Sequence, residues 1–559
     1  MYKSLETEVL VIGGGGAGCR AAIEAHDNGS EVLMMLKGRL GNSGCTLWVG
    51  ISSAVGSWGG DEADTPETSM IDLLSYGGYL GNQDLAKILS EESEDRVHEM
   101  EEWGIDFRRN EDGSVFVDMD PEHTYARSFY FKIKGEVDGN HSNEKYDYGS
   151  QPGHAIMDVL TEQVAKRDIK IKNNTVLIDL LLNRGRVVGA LGLDCENNEL
   201  VVIKAKSVVL ATGSYSHIFA PTTVSPFETG DGHGAAYRAG AELIDMETCQ
   251  FVATDRPFKP QSVFLNTEGE DIMPKYGIDL KSKDRATKEY MCYAIWNEVM
   301  QGKGTDKEKV YIDVDGDRDP SAPLDKLIQT APQAHTTIGG VKIDGKCQTS
   351  LPGLYAGGAI GGGVYGHARP QGYTSMITLV FGRIAGESAS QGATSTESVE
   401  IDELQLQNTI NNALGIKRRL KNINPRDIKK QIKVIMRNHC WVIREEKSLI
   451  EGLSKISDLT NYLENKGTDN SDDASPDGYE WARYLELNNL LLTSKLMIEG
   501  SLMRKESRGA YNRSEYPDTD NINWLKNLVY KNIDGKPIID AIPVDLKYCA
   551  PSEFAGTIQ

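Results

Sequence analysis

The apolar positions change period several times along the chain. Glu8–Ile12 (EVLVI) is a continuous apolar run of strand length, and GGGGAGCRAAIEAHDNG after it switches to a helical spacing behind a glycine turn. Glu31–Lys37 (EVLMMLK) is a second buried run, so the opening of the chain predicts a βαβ unit that starts a parallel sheet. VLIDLLLNRGRVVGALGLD and LVVIKAKSVVLATG predict further strands, with a tight turn at Asn183–Gly185. From residue 222 to 337 the pattern breaks into loops and short elements, FLNTEGEDIMPKYG among them, as expected of an inserted domain. SLPGLYAGGAIGGG returns to a strand that ends in glycines, and SMITLVFGRIAGESA follows as a helix. Between Glu403 and Glu506 leucine and isoleucine recur every three or four residues, which predicts packed helices; TDNSDDASPDG between them reads as a solvated loop. The basic row over Lys417–Lys433 reads as a wet helix face, with a partner-docking face as the alternative. The expected organisation is one domain from 1–221 and 338–400, an insert at 222–337, a helical domain at 401–508 and a tail at 509–559.

Composition narrows the class. With 39% hydrophobic and 25% charged residues, a mean hydropathy of -0.40 and no apolar run of about 18 residues, the chain is expected to be globular and free of direct membrane insertion. MYKSLETEVLVIGGGG has neither a basic segment nor a cleavable apolar one, so the expected location is the cytoplasm. A net charge of -22 disfavours nucleic acid as partner. The eight cysteines are scattered without a C-x-x-C, which argues against a disulfide framework, a zinc site or an iron–sulfur cluster held by this chain; no metal is expected.

Gly13, Gly15 and Gly18 form G-x-G-x-x-G immediately after a strand and at the start of a helix. Glycine there permits a tight turn and close approach of backbone to a pyrophosphate on the helix N-terminus. The second strand ends in MLKGR, without the acidic residue that a nicotinamide site would place there. SVVLATGSYS and LPGLYAGGA are two more strands that deliver glycines. Three such elements far apart in sequence predict one long dinucleotide lying across a sheet, and FAD is the natural choice.

TGDGHGAAYRAGAELIDMETCQF, HTTIGGVKID and YGHARPQGYTSMITLVFGRIAG resemble the signature segments of the succinate dehydrogenase/fumarate reductase flavoprotein family. L-aspartate oxidase and the adenylylsulfate reductase flavoprotein are its relatives. YLELNNLL and RKESRGAYNRSEYPDTDNINWLKN resemble its helical domain and tail, so the resemblance covers almost the whole chain. It implies an α/β FAD-binding Rossmann-like domain, an inserted α+β capping domain, a C-terminal helical bundle domain and a tail. It further implies that Gly13, Gly14, Gly15, Gly16, Ala17 and Gly18 cradle the pyrophosphate. Lys37, Ser43, Gly44 and Thr46 would line the adenosine and flavin side, Thr212, Gly213 and Gly358 would close the pocket, and Asp231 would bind FAD. Ser375 and Met376 would meet the flavin through the start of their helix, and His335 and Arg369 would hold a substrate carboxylate. Glu506 and Arg508 would tie the tail to the flavin domain, while His367 and Tyr373 stand between pocket-lining and structural roles.

The departures bear on chemistry. Where covalent-flavin members have R-S-H-T this chain has NSGCT, which implies non-covalent FAD. Val252 follows QF where the family has a substrate-binding histidine, the glutamate of G-E-C falls on Gly358, and RPQGYTS has one residue more than the family between Arg369 and Ser375. Plain fumarate is therefore not the expected substrate; a small anionic, unsaturated or saturated carboxylate is. The family's capping-domain proton donor lies in R-G-E-G-G. Counting back from Asn266 lands on Phe258, between Arg256 and Lys259; Arg256 is the preferred donor and Lys259 an anion anchor. Electrons would come from a soluble donor, from oxygen or from a separate iron–sulfur subunit. The competing readings are an adenylylsulfate-reductase-like reaction and a pure electron-transfer subunit. The missing histidine has a direct consequence: acid precipitation of the yellow protein should leave all flavin in the supernatant, and colour retained in the washed precipitate would refute non-covalent binding.

Overall fold

The computed structural model describes residues 2–55, 61–132, 153–254, 258–420, 423–465, 476–533 and 535–557. Its centre is a seven-stranded sheet in the order Lys170–Lys172, Val32–Met35, Tyr2–Ile12, Glu199–Leu210, Arg186–Asp194, Thr175–Asn183, with Leu354–Ala356 also paired to Glu199–Leu210. Tyr2–Ile12 runs parallel to both neighbours, with Ile12 beside Met35 and Leu210, so three strands end together below the glycine turn. Ligands bind at such carboxyl ends in open α/β sheets. Val9, Leu10, Val11, Met34, Met35, Val208 and Leu210 are fully buried, as expected of strands covered on both faces. Helices Gly16–Asp27 and Tyr373–Thr394 pack together on one face, where Gly382 and Gly386 admit the backbone of the first helix.

Helix Asp231–Ala239 packs on Thr175–Asn183 rather than on the insert. Leu243–Ile244 pairs with Gly340–Lys342 and with the tail strand Lys526–Ile533, in a second sheet of five strands. Asp231–Ala239 and Leu243–Ile244 thus pack or pair outside the insert, while Thr222 and Thr223 bond Ala334 of its strand Gln333–Thr337. The insert is built from the pair Cys249–Val252/Gln333–Thr337, the three-stranded sheet Val263–Leu265, Val310–Asp313 and Ile328–Thr330, and helix Lys288–Glu298. Helices Glu403–Leu420, Pro425–His439, Glu446–Asn465 and Gly478–Met503 form the helical unit. Within the basic row, Lys417 stacks on Trp481 and Lys429 pairs with Glu486, so part of that face is turned inward. Most of TDNSDDASPDG lies outside the described residues. Among the described residues no helix is long and apolar enough to cross a membrane.

Candidate active site

One cavity of about 1790 Å³ runs from the glycine turn to the insert. This exceeds the roughly 300–1,000 Å³ of a pocket for one small ligand and leaves room for a large cofactor with a small molecule beside it. At one end Gly13 has φ 120°, and a Cβ there would lie 2.1 Å from the Ala211 carbonyl oxygen. A Cβ on Gly18 would lie 2.1 Å from the Gly13 carbonyl oxygen, so Gly18 supports the turn from below while Gly13–Ala17 line the cavity. Helix Gly16–Asp27 begins with no side-chain cap and no acidic residue in its first turn. Its Gly16 N–H donates to Thr46 Oγ1 at 3.0 Å, and the positive dipole end of the helix fits a pyrophosphate. Helix Tyr373–Thr394 also starts uncapped, at Gly372 with φ 80°, and presents Thr374 and Thr378 to the same space. A Cβ on Gly16 would lie 2.6 Å from Thr378 and 3.1 Å from Thr46, so the two helix starts converge on one cradle.

Beside this cradle Lys37 Nζ bridges Asp231 and Glu486, each at 2.7 Å, and donates to Thr229 Oγ1. Burial opposes the charge on Asp231, but Lys37 outweighs it and holds the carboxyl below the usual range. Ser43, Gly44, Thr46, Thr212 and Gly213 line the cavity. Ser375 and Met376 do not: Ser375 donates toward Ser52 Oγ (2.6 Å), and Met376 is fully buried. Thr374 and Thr378 take that place. Gly358 packs on Ala17, and its neighbours Gly357 and Ala359 face the cavity instead.

The other end is electrostatic. Arg369 is 4% exposed and lines the cavity. Its Nη1 bonds Thr374 Oγ1, its Nε has no partner, and among the described residues it makes no ion pair within 4.0 Å. Burial lowers its pKa, against a longer-range pull from Tyr365, Glu289 and Glu122. His335 faces the same space because of a bulge. Gln250 pairs with Thr336 and Phe251 with Ala334, which leaves His335 as the extra residue. Thr223 Oγ1 and His335 Nδ1 share a 2.8 Å hydrogen bond. Burial, then Arg369 and Lys288, push the His335 pKa down to about 3, so the ring is neutral.

Lys288 and Glu122 are the residues that sequence reasoning missed. Lys288, in the first turn of its helix, reaches Glu122 Oε1 at 2.9 Å and Gln371 Oε1 at 3.2 Å. Burial opposes the charge on Glu122, but Lys288 outweighs it and lowers the pKa; the second oxygen, Oε2, is buried without a partner. Asp120, on the same wall, is pushed up to about 6 by burial and by Glu122. Lys259 lines the cavity with its charge directed to Asp315 at 3.0 Å, and Arg256 lies outside the described residues. His367 and Tyr373 are fully enclosed beside Glu247 and Ser69, not in the lining. Arg508 bonds Glu506 and the Gly78 carbonyl, which ties the tail to the central domain.

Comparison with known proteins agrees with this geometry. A family model described as FAD binding domain matches residues 8–375, and one described as Fumarate reductase flavoprotein C-term matches 429–555. The chain is 32% identical to a component of the fumarate reductase (CoM/CoB) of Methanothermobacter marburgensis, over 92% of this chain and 95% of that one. It is 28% identical to the succinate dehydrogenase flavoprotein subunit of Rickettsia bellii, over 96% and 95%. Its fold matches a variant of E. coli quinol fumarate reductase FrdA with a TM-score of 0.86 at 23% identity, covering 99% of each chain. It also matches adenylylsulfate reductase from Archaeoglobus fulgidus with a TM-score of 0.77 at 19% identity, covering 97% and 96%. A FAD cradle at the carboxyl ends of the inner strands, a capping insert and full-length similarity together place this chain in the fumarate reductase/succinate dehydrogenase flavoprotein family of FAD-dependent oxidoreductases acting on CH–CH groups.

Proposed function

We propose that this protein reduces the C=C bond of a small unsaturated carboxylate, or oxidises the corresponding CH–CH bond. The observation that carries the reading is Arg369, a buried guanidinium whose fork opens on the cavity with no carboxylate of the described residues against it. Burying a cation unpaired is costly, and a ligand carboxylate is the partner that removes the cost. FAD, held by the two helix starts and by Lys37–Asp231, supplies the hydride chemistry when bound. Arg369 and neutral His335 fix the carboxylate, and Arg369 stabilises the negative charge that develops on it during attack at the neighbouring carbon.

Lys288 is the proton donor in this reading. It is a cation on the cavity wall, within electrostatic reach of His335, and its carboxylate partner keeps one oxygen free to accept or pass on a proton. Tyr76 extends the chain, 3.5 Å from Glu122 and hydrogen-bonded to Glu289. Electrons enter from outside the chain. A separate iron–sulfur subunit is the favoured source, since the eight cysteines are dispersed and seven are buried singly in the fold. The carboxylate wall of Asp118, Asp120 and Glu122 counts against a phosphosulfate nucleotide as substrate.

Arg369→Ala and His335→Ala should keep FAD and lose about 10²–10³-fold in kcat/KM. Turnover within about threefold of wild type would contradict the assignment. Lys288→Gln should lower kcat by roughly 10²–10⁴ with little change in KM, while flavin reduction by dithionite proceeds normally. Lys259→Gln should leave kcat nearly unchanged. If Arg256→Gln abolishes turnover and Lys288→Gln does not, the donor is Arg256.

A further inference from the structure

We infer that the substrate carries a single carboxylate, with an uncharged and apolar group on the far carbon of its double bond. This rests on the carboxylate reading above and narrows it. Among the described residues, six cations line the cavity: Lys37, Arg108, Lys259, Lys283, Lys288 and Arg369. Five are already engaged. Lys37 holds Asp231 and Glu486, Lys259 holds Asp315, Lys283 lies 3.5 Å from Asp118, Lys288 holds Glu122, and Arg108 lies 5.2 Å over the Tyr130 ring. Of these six, Arg369 alone is left to meet an anion, and one guanidinium fork matches one carboxylate.

The rest of the lining opposes a second charge. Among the described residues, six carboxylates face the same cavity: Asp118, Asp120, Glu122, Glu228, Asp231 and Asp315. The described lining thus carries as many carboxylates as cations, and the pyrophosphate of FAD would add further negative charge. Asp120 already resists ionisation beside Glu122, so a second carboxylate brought to that wall would meet like charge. Glu289, the other acid near Arg369, is held by Gln250 Nε2 at 2.5 Å and by Tyr76, so it adds charge without supplying a cation.

Part of the remaining wall is apolar, beside the polar side chains of Thr254, Gln333 and Thr336. Val252 stands on the strand paired with that of His335, at the position where the resembling family places a substrate-binding histidine. Ala253, Phe258, Leu280, Ala286 and Met291 continue it. A second carboxylate that met these apolar side chains would be buried there without a hydrogen-bond donor of theirs, a costly arrangement. A methyl or aryl group gains from the same contact.

The test uses the FAD-loaded protein, anaerobically, with reduced methyl viologen as donor and crotonate, cinnamate and fumarate as acceptors. Each acceptor molecule takes two electrons from two viologen radicals and two protons, and its C=C bond becomes CH–CH. The expected result is a kcat/KM for crotonate or cinnamate at least about tenfold above that for fumarate. Val252→His should move this ratio toward fumarate by a further factor of about ten. Faster reduction of fumarate would overturn the inference and leave the carboxylate reading standing. Failure of all three acceptors, with no change in the flavin spectrum on adding butyrate, 3-phenylpropionate or succinate, would overturn both.

Discussion

A buried guanidinium with no carboxylate partner among the described residues is the constraint on which the active-site end of this molecule depends. Arg369 is held in place by neighbours that do not neutralise it. Gln250 donates to its backbone oxygen at 2.9 Å, and Thr374 bonds one of its nitrogens. Gln250 sits on the first strand of the insert, so the insert and the central domain meet at this residue. The bulge beside Gln250 turns His335 toward the same space. Strand pairing, helix start and charge thus converge on one point.

A second buried arginine shows the contrast. Arg504 lies 2.9 Å from both Glu247 and Glu506 and 3.8 Å from Asp245, and it donates to the carbonyls of Trp524 and Lys526. Burial and the neighbouring Glu247 raise the Asp245 pKa, whereas Arg504 overcomes burial to keep Glu247 ionised. This network fastens the helical unit and the tail to the segment just before strand Cys249–Val252. Its cation is surrounded by carboxylates and serves the fold. The two arginines are both buried, but one is ringed by acids and the other pairs with none among the described residues.

The cofactor end is legible in the sequence because its chemistry is local. A strand, a glycine turn and a helix start are contiguous, and steric need at Gly13 and Gly18 leaves no choice of residue. His335 and Arg369 are legible through motif segments. Lys288 is not, since KSKDRATKEY has the alternating charges of a solvated surface, and only the three-dimensional approach of Glu122 from a distant loop turns it inward. Thr374 and Thr378, rather than Ser375 and Met376, line the cavity, because the helix turns those two positions toward it. The second sheet escapes the sequence for a related reason. Leu243–Ile244 pairs with a strand almost three hundred residues away, and a pairing of that range leaves no periodic signal in either segment.

The central claim, that Arg369 awaits a carboxylate, is tested most directly by a crystal structure of the FAD-loaded protein soaked with a saturated monocarboxylate such as butyrate. The account predicts the carboxylate oxygens within hydrogen-bond distance of the Arg369 guanidinium, with the alkyl group turned toward Val252 and Met291. A carboxylate bound on Lys259 or Lys283, with the Arg369 fork facing only solvent, would contradict it.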